Sequence, residues 1–260
     1  MNLGIKNKYA LVTGGSHGIG RSIALALADE GCNVAICGRN KEKLAMVSQE
    51  INKKGVQCII LQADVTEVSK VDGIMNTIIK SWGTVHILIN NVGGGGSWGD
   101  LVIENTPEKI WVDVFNKNTL TAIRFTTKAI PFMRKQKWGR VVSVSSIYGK
   151  EAGGMPWYNL AKSAQISLMK TLSSQHYLAR DNITFNCVAP GPIMIPDTGW
   201  EKMMKRDPIA FKKIIDNDVP LGRLGAPEEV ASVVAFLCSE PARYVNGATV
   251  PIDGGLSKSF

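Results

Sequence analysis

Two side chains in the stretch SSIYGKEAGGMPWYNLAK, residues 145–162, have types and spacing suited to proton chemistry. Tyr158 and Lys162 are four residues apart, and in a helix this spacing places both on one face, one turn apart. Pro156 suits the first turn of such a helix. A phenol titrates near ~10, but a fixed ammonium nearby favours the phenolate, so the pair could exchange a proton with an alcohol or ketone near neutral pH. A hydroxyl from Ser146 could then polarise the carbonyl oxygen.

The pair alone does not establish catalysis, because Tyr and Lys at this spacing are also common on solvated helix faces. The elements that would position it are therefore informative. Short apolar runs alternate with amphipathic helical patterns, from a first strand at residues 9–13 to a last strand at 248–252. This alternation predicts an α/β fold, with residues 1–260 forming a single domain: a Rossmann-type doubly wound parallel sheet with helices on both faces.

Charge and composition limit the classes of partner. The chain has 260 residues, a net charge of +8 and a pI near 9.2. This balance is typical of a basic surface with a site for an anionic cofactor or substrate. Nucleic-acid binding is the alternative, but we find no basic helix with interleaved aromatic residues and no recognition module, so no nucleic-acid partner is expected.

Cysteine, histidine and hydropathy patterns indicate the compartment. The five cysteines and three histidines show no metal-ligand spacing, so we expect no metal site. Cysteines in apolar runs are typical of free buried thiols in a reducing compartment, which predicts a cytoplasmic protein. No apolar run approaches the ~18 residues of a membrane span, and the N-terminus is predicted to be a first strand rather than a signal peptide.

A glycine-rich turn follows the first strand and opens a helix. Such a turn lets the backbone approach a pyrophosphate, which binds at the helix N-terminus. Its spacing is Gly-x-x-x-Gly-x-Gly rather than the commoner Gly-x-Gly-x-x-Gly, and glycine turns also simply connect elements. Its position at the first strand favours dinucleotide binding. The candidate contacts in the turn are Gly14, Ser16, His17, Gly18, Ile19 and Gly20.

The end of the second strand indicates which dinucleotide is bound. Gly38 occupies the position where an NAD site is expected to carry an acid for the adenosine ribose, and Arg39 follows. A guanidinium can pair with a 2′-phosphate that a carboxylate would repel, so the sequence favours NADP(H) over NAD(H). In the alternative interpretation, Arg39 simply opens a solvated helix with Lys41 and Lys43.

Later segments carry three further candidate features. Asp64, after the third strand, could meet the adenine amino group, and the glycine-rich turn at 91–96 follows the fourth strand, where open sheets bind ligands. Asn118 lies inside a long helical stretch, 107–136, where Asn either distorts the helix or holds a water. Residues 194–222 mix apolar and basic side chains, which predicts a mobile helical lid; a solvated surface helix is the alternative.

Taken in order, these motifs resemble those of the short-chain dehydrogenase/reductase family over essentially the whole chain. The resemblance implies a tetrad in which Tyr158 is the general acid/base, Lys162 lowers its pKa and binds the nicotinamide ribose, Ser146 holds the substrate oxygen and Asn118 positions a water. The matching motifs are TGGSHGIG at 13–20, Asp64, NNVG at 90–93, Asn118, Ser146, Tyr158-x-x-x-Lys162, PGPI at 190–193 and DGG at 253–255. The implied cofactor contacts beyond the first turn are Arg39, Asp64, Val65, Asn91, Val92, Gly93, Tyr158, Lys162, Pro190, Gly191 and Ile193.

Some positions depart from the family pattern. Val92 replaces the usual alanine, and Thr119 follows Asn118 where leucine is common. His17 stands where NADP-preferring members often carry Arg or Lys, which weakens that half of the phosphate clamp. Two serines compete for the catalytic position: Ser146 matches a Ser-x-x-Gly pattern, whereas Ser145 matches the usual distance to the tyrosine.

The resemblance implies hydride transfer between NADP(H) and a ketone or secondary alcohol. The chain is most similar to 3-oxoacyl-[acyl carrier protein] reductases, and Lys135, Lys137 and Arg140, with the lysines of the lid, could meet an acidic carrier protein. A sugar or steroid substrate used with NAD(H), and a non-catalytic dinucleotide-binding regulator, are the alternatives. A homotetramer formed through the Tyr158 helix and the C-terminal strand is also implied.

Overall fold

The computed structural model describes residues 1–259, whose strands form one seven-stranded parallel sheet in the order β3-β2-β1-β4-β5-β6-β7. The strands are β1 Tyr9–Thr13, β2 Asn33–Gly38, β3 Cys58–Gln62, β4 Ile87–Asn90, β5 Gly139–Val144, β6 Ile183–Pro190 and β7 Thr249–Ile252. The chain winds from β1 to β3 in one direction and from β4 to β7 in the other. The point of reversal, between β1 and β4, opens a crevice at the carboxyl ends of the strands.

Helices cover both faces of the sheet, which confirms the predicted doubly wound fold. They are α1 Gly18–Asp29, α2 Lys41–Asn52, α3 Val68–Trp82, α4 Glu108–Phe115, α5 Thr121–Lys135, α6 Pro156–Ser173, α7 His176–Ala179, α8 Gly199–Arg206, α9 Pro208–Asp218 and α10 Pro227–Leu237. One core lies under α1, α2 and α10, and the other under α3, α5 and α6. Because both faces are covered, every residue of β5 and β6 is buried.

The helical stretch predicted at 107–136 is interrupted. A π-helical turn, Asn116–Leu120, separates α4 from α5, and Asn118 lies in its middle. The side-chain amide of Asn118 donates to the Val114 carbonyl oxygen at 2.8 Å, so the side chain competes with the backbone for a helical acceptor. The distortion expected at Asn118 is therefore present, and such single π turns are frequent at functional sites.

The segment 194–222, for which the sequence predicted a helical lid, contains two short helices, α8 and α9. They are separated at Asp207, whose carboxylate accepts from the Ala210 backbone N–H at 2.9 Å and so caps α9. Helix α8 contains no buried residue, and α9 buries only Ile215. This segment is therefore the least embedded of the long elements.

No helix within residues 1–259 combines the length and apolar character that crossing a membrane requires. In the same part of the chain, no group of three or more His, Cys, Asp or Glu side chains is arranged to hold a metal ion.

Candidate active site

The ends of β5 and α6 bring the predicted catalytic side chains together. Ser145 and Ser146 follow β5 directly, and Tyr158 and Lys162 project from the first turns of α6, which begins at Pro156 as expected. A cavity of about 720 Å³ is lined by Ser146, Tyr158 and Lys162. The groove beside the phenol is therefore open, and these groups face one space.

Lys162 is turned into the protein rather than into solvent. Only 3% of the residue is exposed to solvent. Its Nζ donates to the Val144 carbonyl oxygen at 3.0 Å and to Gln165 Oε1 at 3.1 Å. The same Nζ lies 5.6 Å from the centroid of the Tyr158 ring. The lysine and the tyrosine are thus neighbours, as the four-residue spacing predicted.

Asn118 is fully buried and holds the loop above the site. Its side-chain Nδ2 donates to the Gly94 carbonyl oxygen at 2.8 Å, and its Oδ1 accepts from the Gly94 N–H at 3.1 Å. Its own backbone carbonyl accepts from Gln165 Nε2 at 3.0 Å. Asn118, which was expected to position a water, is therefore bound to protein groups through both its side chain and its backbone carbonyl.

The two serines have different partners. Ser145 Oγ donates to the backbone carbonyl of Lys162 at 2.9 Å, which ties the end of β5 to α6. The Ser146 hydroxyl accepts from the Tyr148 backbone N–H at 3.2 Å and lines the same cavity as the Tyr158 phenol. The geometry thus favours Ser146 as the serine that meets a substrate oxygen and gives Ser145 a structural contact.

Burial dominates the proton affinities at the site. It raises the pKa of the Tyr158 phenol, although the hydrogen bond from Ser146 opposes this shift. It also lowers the pKa of Lys162 to about 7. The net shift of the tyrosine pKa is thus opposite to the one expected from the Tyr–Lys spacing, because burial disfavours the charged form of both groups. A phenol with a raised pKa stays protonated at neutral pH and is available as a proton donor.

A second cavity, of about 550 Å³, runs beside the first at the reversal point of the sheet. Asn91 and Gly93 line both cavities, so the two are adjacent. The second cavity contains most of the predicted cofactor residues: Gly14, Ser16, His17, Arg39, Asp64, Val65, Asn91, Val92 and Gly93. Six others line the first cavity instead: Ile19, Tyr158, Lys162, Pro190, Gly191 and Ile193. Gly18 and Gly20 lie in the first turn of α1 and line neither cavity.

The glycine turn is packed too closely for any side chain. A Cβ at Gly20 would lie 2.3 Å from the Gly14 carbonyl oxygen, and Gly14 itself has a φ of +68°. Asn91 Nδ2 donates to the carbonyl oxygens of Thr13 at 2.9 Å and of Gly14 at 3.2 Å, so this predicted contact holds the turn.

The N-terminus of α1 is open to a ligand. His17 occupies the N-cap position, but its ring contacts the Pro196 carbonyl oxygen at 3.0 Å instead of capping the helix. The first turn contains no acidic side chain. Unpaired backbone N–H groups at a helix N-terminus suit a phosphate, so these residues fit the pyrophosphate of a dinucleotide.

Charged groups gather at the far end of the second cavity. Asp64 accepts from the Thr66 N–H at 3.0 Å and from the Thr66 hydroxyl at 2.7 Å, and these bonds lower the pKa of its carboxyl group. Lys117 lies nearby with its Nζ 4.5 Å from the centroid of the Trp98 ring. Burial and the neighbouring charge of Arg39 lower the pKa of Lys117. Sequence reasoning missed Lys117 and Trp98, because neither belongs to a recognisable motif.

A third cavity, of about 340 Å³, opens beside Ser146 and shares Trp200 with the first cavity. Its walls come from the turn after β5, from α8 and α9, and from the C-terminal tail: Ile147, Tyr148, Ile214, Asn217, Asp218, Leu256 and Lys258. The tail is anchored by Glu151, whose Oε2 accepts from the backbone N–H of Lys258 at 2.9 Å and of Ser259 at 3.1 Å. This space is the candidate substrate pocket.

One predicted contact surface is wrong. Arg140, proposed to meet a carrier protein, is fully buried at the amino end of β5, where it lies against Trp138. Lys137 is paired with Asp181. Lys137 precedes β5 and Arg140 is its second residue, whereas Ser146 follows the strand, so both basic residues lie at the opposite edge of the sheet from the site. The prediction failed because it did not take the direction of β5 into account, and this direction determines at which edge of the sheet the basic residues lie.

Known proteins share this fold and these motifs. A family model described as enoyl-(acyl carrier protein) reductase matches residues 14–257. The 3-oxoacyl-[acyl-carrier-protein] reductase FabG of Staphylococcus aureus is 36% identical over 253 residues, which cover 96% of this chain and 98% of the relative. Cyclohexanol dehydrogenase of Rhodococcus sp. is 36% identical and covers 99% of both chains. The crystal structure of L-sorbose reductase from Gluconobacter frateurii, complexed with NADPH and L-sorbose, matches the whole of both chains with a TM-score of 0.91 and 31% identity.

The chain therefore belongs to the short-chain dehydrogenase/reductase family, as the order of its motifs indicated. It is an oxidoreductase that acts on ketone or alcohol groups with NAD(P)(H). The names of its relatives include an acyl thioester, a cyclic alcohol and a ketose among their substrates. The similarity thus defines the class of reaction and leaves the substrate to be argued from the site.

Proposed function

We propose that this protein is an NADP(H)-dependent reductase of a ketone group, working reversibly on the corresponding secondary alcohol. The observation that carries the proposal is the convergence of the Tyr158 phenol, the Ser146 hydroxyl and the Lys162 ammonium on one cavity that adjoins the glycine turn. When bound, the nicotinamide cofactor supplies or accepts the hydride.

The protein residues manage the proton and the oxygen. Tyr158 donates its proton to the carbonyl oxygen during reduction, and Ser146 holds that oxygen by a hydrogen bond. Lys162 offers its ammonium towards a ribose from beneath the groove. Because burial raises the pKa of Tyr158, the phenol is ready for reduction at neutral pH, whereas alcohol oxidation requires the phenolate and should become faster as the pH rises.

The cofactor preference rests on residues 38 and 39. Gly38 leaves no carboxylate at the end of β2, and a Cβ there would lie 3.0 Å from Ser16 Oγ. Arg39 is exposed at the mouth of the cavity, where it can reach a 2′-phosphate. Of two structurally similar reductases, L-sorbose reductase is complexed with NADPH and YwfH is NADPH-dependent, although a 7α-hydroxysteroid dehydrogenase of the same fold is complexed with NADH.

Substitution Arg39→Asp tests this preference. We expect NADPH to bind about 10- to 100-fold more weakly, the effect of losing one charge-assisted hydrogen bond and adding repulsion, while NADH binding is retained. The measurement is a fluorescence titration with each cofactor. Lys43→Asp, which changes the net charge equally on the exposed side of α2, is the matched control. An unchanged ratio of the two affinities in Arg39→Asp would exclude the clamp.

The favoured substrate is a 3-oxoacyl thioester, free or bound to a carrier protein. The support is the 36% identity to FabG over nearly the whole chain. The exposed lysines of the lid, Lys202 and Lys213, remain available to an acidic carrier after Lys137 and Arg140 are excluded. A ketose is the second candidate, because Asn217 and Asp218 line the third cavity together with Trp200, and amide and carboxylate groups suit hydroxyl-rich substrates.

A panel of carbonyl compounds separates these candidates. NADPH consumption should be measured with a 3-oxoacyl thioester, a ketose, a cyclic ketone and a steroid ketone under the same conditions. The thioester is expected to give the highest kcat/KM. Binding of NADPH without consumption on any ketone would instead identify a non-catalytic regulator.

We also propose that residues 194–222 act as a lid, that the protein functions as a homotetramer and that it works in the cytoplasm. The lid is supported by the few buried residues of α8 and α9 and by their position over the third cavity. The tetramer would form through α6 and β7, and sedimentation equilibrium tests it directly. A stable monomer at micromolar concentration would contradict it.

A further inference from the structure

Gln165 is a polar residue in the interior of the protein, where polar residues are rare. It lies on α6 three residues after Lys162 and is completely buried. Buried polar groups are usually satisfied by hydrogen bonds, and both ends of this side-chain amide are. Its Oε1 accepts from Lys162 Nζ at 3.1 Å, and its Nε2 donates to the backbone carbonyl of Asn118 at 3.0 Å. The amide thus joins two residues of the predicted tetrad.

The hydrogen bonds of the Lys162 ammonium show what the contact with Gln165 does. An ammonium has three N–H donors. Two of them are directed into the protein, towards the Val144 carbonyl oxygen and Gln165 Oε1. One donor is left for the cavity that Lys162 lines with Tyr158. With two inward bonds fixed, the third N–H has a defined direction.

The other end of the amide reaches the π turn between α4 and α5. Asn118 lies in the π turn, and its side chain holds Gly94 of the glycine-rich loop. The bond from Gln165 therefore connects that loop, through the π turn, to the lysine. A neighbouring bond from Thr119 Oγ1 to the Ala161 carbonyl at 2.8 Å fastens the same turn to α6.

We propose that Gln165 is a positioning residue of the active site, which bridges the Lys162 ammonium to the Asn118 carbonyl and aims the remaining N–H of the ammonium into the cofactor groove. This inference rests on the proposed function only for the use that catalysis makes of Lys162. Both inner partners of the ammonium are protein groups, so Lys162 exchanges its proton on the cavity side.

The positioning role of Gln165 can be measured through the pKa of Lys162. Burial and, to a smaller extent, the charge of Lys117 in the π turn lower the pKa of Lys162 to about 7, whereas Cys187 opposes this shift. Cys187 on β6 and Tyr158 on α6 are the other titratable neighbours. Gln165 Oε1 is a neutral acceptor that favours the charged amine. Removing it should lower the pKa of Lys162, and replacing it with a carboxylate should raise it.

Two substitutions of similar shape provide the test. Gln165→Met removes both hydrogen bonds, and Gln165→Glu keeps an acceptor and adds a charge. Gln49→Met, on the exposed side of α2, is the matched control. The ionisation of Lys162 is followed by NMR of isotopically labelled lysine, with the signal assigned by its absence from Lys162→Met. We expect the pKa of Lys162 to fall in Gln165→Met, rise in Gln165→Glu and stay unchanged in Gln49→Met.

Activity provides the second readout. Loss of a hydrogen bond to a charged group should lower kcat of Gln165→Met about 10- to 100-fold, with KM changed much less. The limb of the pH profile that reports Lys162 should move in opposite directions in the two variants. Equal or absent pKa shifts in both variants would overturn the positioning role.

These experiments distinguish failure of the Gln165 proposal from failure of the proposed function. Should Gln165→Met fail to fold, the rise predicted for Gln165→Glu decides the question alone, and an unchanged or lowered pKa of Lys162 in that variant refutes the proposal. Opposite NMR shifts in a protein that turns over no ketone would support the contact of Gln165 with Lys162 and count against the proposed function.

Discussion

The floor of the site and the lid differ in how firmly the protein holds them. The floor consists of Asn118, Ser145, Ser146, Lys162 and Gln165, all of them buried and each held by at least one hydrogen bond within the protein. In the proposed lid, residues 194–222, α8 has no buried residue and α9 has one. The first region is embedded in the protein, whereas the second lies at its surface and lines the third cavity.

This difference matches what the two regions must do. Proton transfer needs donors and acceptors held at fixed distances, and a buried hydrogen-bonded network provides that. Substrate admission needs a segment that can open, which favours few buried contacts.

The largest effect is expected within the floor, where substitution of its two serines should give different results. Ser146→Ala removes the donor that holds the substrate oxygen and should lower kcat about 10²- to 10³-fold. Ser145→Ala removes the bond to the Lys162 carbonyl and should destabilise the protein by about 1–3 kcal/mol with a much smaller change in kcat. Steady-state kinetics and denaturant unfolding of both variants measure the two quantities. The reverse assignment of effects would show that Ser145 is the serine that acts.

A smaller effect is expected from the lid. Trp200 lines two cavities and packs edge-to-face on Phe211, with the ring centroids 6.5 Å apart. Trp200→Ala should raise KM for the carbonyl substrate about tenfold by removing apolar contact, while kcat changes less. Ile209→Ala, at an exposed lid position, is the control. A loss of kcat in Trp200→Ala as large as that of Ser146→Ala would remove the distinction between floor and lid.

The smallest effect concerns stability and its pH dependence. The pKa of Lys162 is lowered in the folded protein, from 10.5 to about 7, so the folded state binds fewer protons than the unfolded state between these values. The contribution of Lys162 to stability is therefore fully present above about pH 10.5 and is lost as the pH falls towards 7. The Tm of Lys162→Met relative to the natural protein should rise over the same interval as the pH is lowered.

Thermal unfolding at several pH values measures this difference. Lys170→Met, on the exposed side of the same helix, controls for the substitution itself. A difference that stays constant with pH would mean that Lys162 is not held in a dry environment.

Much of the fold was predictable because it depends on local patterns. Alternating strands and helices, the glycine turn and Pro156 at the start of α6 are features of neighbouring residues. The strand directions were harder to use: Arg140 was read as a surface charge, yet it is fully buried because both faces of β5 are covered.

The site was predictable where chemistry follows a motif and hidden where it follows packing. The spacing of Tyr158 and Lys162 predicted their proximity, but no spacing reveals that burial raises the pKa of the tyrosine. Gln165 lies three residues beyond Lys162 and looks like any polar helix residue until its two partners are seen. Contacts between distant segments, such as Lys117 on Trp98, leave no local pattern at all.

The most direct test of the account is the substitution Tyr158→Phe, assayed for NADPH binding and for ketone reduction in the same preparation. Removing the phenolic hydroxyl should lower kcat about 10²- to 10⁴-fold, the range for loss of a positioned acid, and should leave NADPH affinity nearly unchanged. Reduction at the rate of the natural protein would contradict the assignment of Tyr158 as the proton donor.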